Sequence, residues 1–320
     1  MEDKILYHYC GVETFLNIIR NHTLRLSDLC KSTDSLELKS LLESVETEVM
    51  KQYRNNHDFL DSVIYGMDMD DAFSFLLQTL MSNMKKNSDQ MLFGVCFSEE
   101  GDMLGQWREY ANKGTGLAIG FDSKWFQRLC RDEMFMFSKV KYGYGEENAD
   151  IVKKYAISIY NEMLTAMIDG KTKNIIEGLY GATYFMELDR KCIYQDSIFI
   201  KRDEYRSEKE WRFILKDGNT YKSYDEWNVY YNWKKNDNET FGNMFYELIP
   251  NGMEFMAAKG NIIPFLDLRF DLDEKNMPIK KIVIGPNCKV EQLDIYHLLE
   301  FFEFDGNEIE IVKSKSSYCI

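Results

Sequence analysis

Proline is scarce in this chain of 320 residues, with four in all, and no stretch is rich in proline or in glycine and serine. Nothing marks a flexible linker, so a single elaborated domain over 1–320 is expected. No apolar run approaches the roughly 18 residues that a membrane-spanning helix needs. Met1-Glu2-Asp3-Lys4 leads straight into an apolar segment, so no secretory signal is expected and the protein is expected in the cytoplasm, off the membrane. Seven cysteines (10, 30, 96, 130, 192, 288, 319) and four histidines (8, 22, 57, 297) are dispersed, without Cys-x-x-Cys and with no Cys/His pair closer than 8 positions apart beyond His8 and Cys10. That spacing argues against a metal site and for free buried thiols. Cys319, second from the end, does not form a prenylation signal. Positive charge is also short: 39 Lys and Arg against 53 Asp and Glu give a net charge of −14. Indiscriminate binding to nucleic acid or anionic membrane is therefore not expected.

What is present suits a folded core, with 45% hydrophobic and 14% aromatic residues. Strands are expected at 4–9, 91–97, 117–121, 194–201, 208–215, 245–250, 262–268, 280–285 and 308–313. Helical spacing marks 11–21, 35–56, 70–86, 148–169, 172–188 and 291–302, with a short helix over 102–111 that Asp102 would cap. Strands at the front and back with helices between them indicate an α+β fold. Gly114-Thr115-Gly116 reads as a tight turn, because no helix follows it as a dinucleotide fingerprint requires.

Three segments carry candidate chemistry. Leu6-Tyr7-His8-Tyr9-Cys10 ends a strand in a histidine; Phe93-Gly94-Val95-Cys96-Phe97-Ser98 is followed by Gln106-Trp107-Arg108; and Glu208-Lys209-Glu210-Trp211-Arg212 opens an apolar strand. A histidine can bond a ribose hydroxyl, an aromatic can stack on nicotinamide, and a carboxylate can stabilise an oxocarbenium-like transition state. Taken singly, His8 reads as a structural histidine and Trp107 as core, while Glu210 would face solvent or pair with Arg212. Lys201, Arg202, Arg206, Lys209 and Arg212 form a basic run around Glu210, either a solvated surface or an anion site.

Tyr7-His8-Tyr9 with Asn17, Ile18-Ile19 and Leu24, the 93–121 segment, and Glu210-Trp211-Arg212-Phe213-Ile214 resemble the three motifs of ADP-ribosyltransferases of the diphtheria-toxin and poly-ADP-ribose-polymerase type. Tyr7-His8-Tyr9, Phe97-Ser98, Gln106 to Tyr110, Glu208 to Arg212 and Ile284-Gly285-Pro286 also resemble a widespread bacterial family of uncharacterised proteins, often found with phage defence and toxin–antitoxin systems. The resemblance implies a split mixed β-sheet with helical insertions at about 35–88 and 145–190. It implies transfer of ADP-ribose from NAD, without a metal, to a macromolecular acceptor, nucleic acid favoured over protein. His8 would orient a ribose, the Tyr9 backbone and Ser98 would hold nicotinamide and its ribose, Trp107 would stack, and Glu210 would stabilise the developing charge. Arg108, Tyr110, Lys201, Arg202 and Arg212 would contact diphosphate or acceptor, and an antitoxin or chaperone is an implied partner. Two other readings stand beside this: an NAD glycohydrolase, and a catalytically silent nucleotide-binding sensor or scaffold. Cys96 stands where the transferases place a tyrosine, and Cys10 where they place a small hydroxyl residue.

Overall fold

The computed structural model describes residues 3–31, 37–56, 69–86, 91–132, 134–143, 148–172, 193, 196–216, 247–258, 260–271 and 277–319. The elements run β1 (Ile5–Cys10), α1 (Val12–Asn21), β2 (Thr23–Asp28), α2 (Glu37–Asn55), α3 (Met69–Lys86) and β3 (Phe93–Ser98). Then follow α4 (Leu104–Glu109), β4 (Leu117–Asp122), α5 (Ser123–Leu129), β5 (Phe135–Lys139), β6 (Lys141–Tyr142), α6 (Ala149–Thr172) and β7 (Ile200–Lys201). The chain closes with β8 (Glu210–Leu215), β9 (Met253–Ala258), β10 (Asn261–Arg269), β11 (Ile279–Ile284), α7 (Gln292–Phe301) and β12 (Glu310–Lys313). The fold is α+β with a mixed sheet. Among the described residues, no helix is long and apolar enough to cross a membrane.

Two compact units divide the chain: 1–32, 90–139 and 207–320 form the first, and 33–89 with 140–206 form the second. The second unit contains both helical insertions, because each helix has one apolar face and neither insertion can bury it alone. Leu41, Val45 and Val49 of α2, Phe73 and Leu77 of α3, and Tyr155 and Ile159 of α6 share one core there. Tyr53 and Phe73 stack at 4.0 Å inside it.

The first unit is built on a sheet of ten strands ordered β12-β11-β4-β1-β3-β2-β10-β9, with β8 and β5 added through β3. Among the described residues of this sheet, β11 and β12 pair in parallel and the other ladders are antiparallel. Strand side chains alternate between faces. Leu6, Leu117, Ile119, Phe121, Ile282 and Ile284 thus point to the main core, where α1, α5 and α7 contribute Phe15, Phe126 and Leu299. Tyr9, Ala118 and Val283 point the other way, against Trp107 and Ala111.

β3 is where the sheet divides. β8 occupies one edge over Gly94 to Ser98. The other edge is shared by β1, which pairs at Ser98, and β2, which pairs at Phe93 and Gly94. Asp28 secures the β2 end by accepting the backbone N–H groups of Leu92 and Cys30, both at 3.0 Å. Burial pushes its carboxyl up, against those two hydrogen bonds.

Some expectations are corrected. Residues 247–248 are helical rather than extended, and the chain then turns through Pro250-Asn251-Gly252, with Gly252 at φ 68°. A proline cannot donate to a ladder, and glycine supplies the left-handed turn. Among the described residues of the expected 194–201 strand, Ile200–Lys201 are extended and 196–197 are helical. The short helix begins at Leu104 with Met103 at its cap and no side-chain bond, so Asp102 does not cap it. The 172–188 helix lies outside the described residues beyond Thr172. Ile284-Gly285-Pro286 has a structural explanation. Gly285 N–H donates to Gly116 O and Asn287 N–H to Gly114 O, locking the Gly114–Gly116 turn against β11. A Cβ on Gly116 would overlap the carbonyl oxygen of Cys10, and one on Gly285 that of Gly114.

Candidate functional site

The three motif strands are neighbours: β1 pairs with β3, and β3 with β8. Tyr7 stands opposite Ser98, and Ser98 opposite Glu210, so these three side chains form one row on one face of the sheet. Cys96 opposes Arg212 on the same face.

Glu210 and Arg212 are two apart on β8 and so project together. Both are buried, at 6% and 3% exposure. Arg212 Nε donates to Glu210 Oε1 at 2.7 Å and Nη2 to Oε2 at 3.2 Å, a fork that engages both carboxylate oxygens. The pairing with Arg212, one of the two simple readings of the sequence, is what the structure contains. Lys209, immediately before, has φ 47°, a conformation uncommon for a non-glycine residue.

His8 lies on the other face. It pairs with Ile119 of the main core, and its ring meets Phe97 edge-on at 6.1 Å. Its Nδ1 sits 3.1 Å from Cys96 O, in the gap where β1 leaves β3. A carbonyl only accepts, so Nδ1 carries the proton. Desolvation holds the histidine below its ordinary pKa although the carbonyl bond opposes this. The neutral ring therefore presents Nε2 as an acceptor, able to take a hydroxyl proton but not to donate one.

Trp107 is fully buried. It packs edge-on against Tyr9 at 4.7 Å, and its Nε1–H donates to Asp102 Oδ1 at 2.7 Å. It thus occupies core on the Tyr7–Tyr9 face, and the sheet separates it from the His8 ring. Tyr9 is committed as well: its hydroxyl donates to Glu100 O and accepts from Met103 N–H. Burial raises its phenol pKa far above the ordinary value. Ser98 Oγ donates to Glu208 O at 2.8 Å and accepts from Glu100 N–H.

The rim of this face is acidic and aromatic. Tyr110 is 45% exposed and donates to Glu208 Oε1 at 3.2 Å. Asp102 also accepts Ser314 Oγ and Lys315 N–H, while Arg108 sits 5.4 Å over the ring of Tyr318. The terminal segment 314–318 is thereby tied to the α4 region. Sequence reasoning did not single out Glu208 by itself, although its Glu-x-Glu spacing to Glu210 was visible. Nothing in the sequence marked the terminal segment. Glu99 was missed too: it accepts Trp211 Nε1–H at 2.9 Å and the ammonium groups of Lys4 and Lys139. Partial burial would raise its pKa, but the bonds from Trp211, Lys139 and Lys4 outweigh that and hold it down at about 2.

The basic run does not form an unopposed cationic surface. Lys209 is 2.6 Å from Glu100, and Arg212 is closed onto Glu210. In the second unit, Arg202 pairs with Glu204, Arg206 with Asp203, and Lys201 is buried with its ammonium 4.5 Å over Tyr205. Among the described residues there is also no cluster of three or more potential metal ligands. Tyrosines and carboxylates predominate on the Tyr7–Glu210 face, which suits sugar hydroxyls and developing positive charge better than a diphosphate.

No curated protein and no solved structure matches the chain. One family profile does, described as "Protein of unknown function (DUF2971)", over residues 106–213, a stretch that holds Trp107, Arg108, Tyr110 and the Glu208–Phe213 segment.

Proposed function

We propose that this protein binds NAD at the Tyr7–Ser98–Glu210 face and transfers ADP-ribose to a macromolecular acceptor in the cytoplasm, as a toxin or anti-phage effector. The observation that carries the reading is the cross-strand row of Tyr7, Ser98 and Glu210, which brings the histidine, second-motif and glutamate strands side by side. In the reaction, the bond from C1′ to the nicotinamide nitrogen breaks with its electron pair leaving on nicotinamide. The acceptor's nucleophilic atom bonds C1′ and loses its proton to solvent. Glu210 would stand against the positive charge that builds on the ribose, with Arg212 fixing its orientation. Tyr110, not Trp107, is the aromatic exposed for stacking on this rim. Because the cations of the 201–212 run are each opposed or buried, a protein side chain suits the acceptor better than a phosphate backbone.

A second reading, a catalytically silent scaffold of the same fold, is favoured by the burial of Trp107 and by the engagement of both Glu210 oxygens. Incubation with labelled NAD separates the two. Label on a macromolecule supports transfer, free ADP-ribose alone supports a glycohydrolase, and unchanged NAD with no NAD-dependent rise in melting temperature supports the scaffold. Turnover that survived Glu210→Gln in a folded variant would remove Glu210 from the chemistry.

A further inference from the structure

α7 is apolar on two opposite faces. Ile295 and Leu299 enter the core, and a capping box between Glu291 and Asp294 fixes the start of the helix. The outward face carries Leu293, Tyr296, His297, Glu300 and Phe301, spaced i, i+3, i+4, i+7 and i+8. On it Leu293 is 63% exposed, Tyr296 38% and Phe301 76%. A helix anchored by one stripe gains nothing in the isolated chain from a second apolar stripe, and such exposure on a rigid element marks an interaction surface.

Charge identifies the occupant. Residues 286–308 hold six acidic residues and one lysine. Glu291 pairs with Lys313 and Glu308 with Lys280, but among the described residues Asp294, Glu300, Glu303 and Asp305 have no ion pair. A second copy of this chain would set the same acidic rim against itself, in a protein of net charge −14, and an anionic membrane would meet the same repulsion. We infer that the outer face of α7 is a docking surface for a basic amphipathic helix of a partner protein, its apolar side chains against Leu293, Tyr296 and Phe301 and its lysines or arginines against Glu300 and Glu303. The binding mode is helix on helix, with affinity from the aromatic and leucine anchors and steering from the acids.

The probe is a fluorescent peptide of leucine and lysine at amphipathic helical spacing, with a leucine–glutamate peptide of the same pattern as its counterpart. Anisotropy titrations on the full chain should show salt-sensitive binding of the lysine peptide and none of the glutamate peptide. Hydrogen-exchange protection on binding should fall within 291–303. A Leu293→Ser/Phe301→Ser variant and a Glu300→Lys/Glu303→Lys variant should each bind at least about tenfold more weakly while melting as the parent does, since all four side chains are outside the core. Unchanged affinity in both variants would mean that the peptide binds elsewhere, and equal binding of the glutamate peptide would mean that charge does not select the partner. Either result overturns the assignment. So would a parent chain that is dimeric in solution and becomes monomeric on Phe301→Ser, because the face would then serve a second copy.

Discussion

Replacing Glu210 by glutamine removes the carboxylate that forks with the guanidinium of Arg212, at a position only 3% exposed. Removing one member of a buried ion pair costs about 3–5 kcal/mol, whereas replacing both by apolar groups of similar volume is often neutral or stabilising. The pair here is a fork, at 2.7 and 3.2 Å, so the upper half of that range is expected for Glu210→Gln and for Arg212→Met alone. Set against Glu210→Leu and Arg212→Met alone, the double variant Glu210→Leu/Arg212→Met should lose less than either single one, so the two losses should be strongly non-additive. Urea unfolding followed by tryptophan fluorescence is the suitable assay. Among the described residues, Trp107, Trp125 and Trp211 lie in the first unit, so their signal reports the unit that contains the pair. Single variants that each cost less than about 1 kcal/mol would show that the pair is not a buried, mutually dependent unit, and would refute this account of β8. The same measurement protects the functional test, because loss of turnover in Glu210→Gln counts as chemistry only under conditions where the variant is still folded.

Acidification should weaken the clamp around Glu99, whose carboxyl is held down at about 2. A depressed carboxylate contributes stability above its unfolded pKa, and that contribution declines as pH falls from about 4.5 towards 2. Comparing Glu99→Gln with the parent by urea midpoints should show a difference at pH 7 that shrinks below pH 4; a constant difference contradicts the assignment. Gly116→Ala should destabilise the first unit by more than about 2 kcal/mol, since the added Cβ meets the Cys10 carbonyl rather than a flexible side chain. An unchanged urea midpoint would refute the close packing of the 114–116 turn. With a chromogenic disulfide reagent at pH 8, exposed Cys319 should react first. Cys10, buried and with its thiol pushed up to about 12, should react only on unfolding, and half-buried Cys130, pushed up likewise, should react more slowly than Cys319. Mass mapping of the first labelled peptide checks the order.

Periodicity placed the strongly patterned elements. β1, β3, β4, β8, β10 and β11 are recognisable apolar segments, and α1, α2 and α6 keep their helical spacing in the structure. It missed β2, β5, β6, β9 and α5. β9 is mostly exposed, so Met253-Glu254-Phe255-Met256-Ala257-Ala258 has no clean alternation to read. β2 does alternate, Thr23-Leu24-Arg25-Leu26-Ser27-Asp28, but it follows α1 through a single residue and merges with the helix in a sequence window. Residue types also suggested a histidine, tryptophan and glutamate converging on one pocket, whereas the fold puts Trp107 in a core and His8 on the face opposite Glu210.

What the sequence determined by itself is local: which segments are strands or helices, and that Glu210 and Arg212, two apart on a strand, share a side. The tertiary structure decided which side that is, because strand period is two and a one-residue change in register would reverse every face. Pairing Tyr7 with Ser98 and Ser98 with Glu210 made the row. Closing the sheet around β3 turned a pair of charges into a buried ion pair and left His8 bonding the Cys96 carbonyl across the gap. Those outcomes depend on contacts between residues 88 to 112 positions apart, which no window along the chain contains.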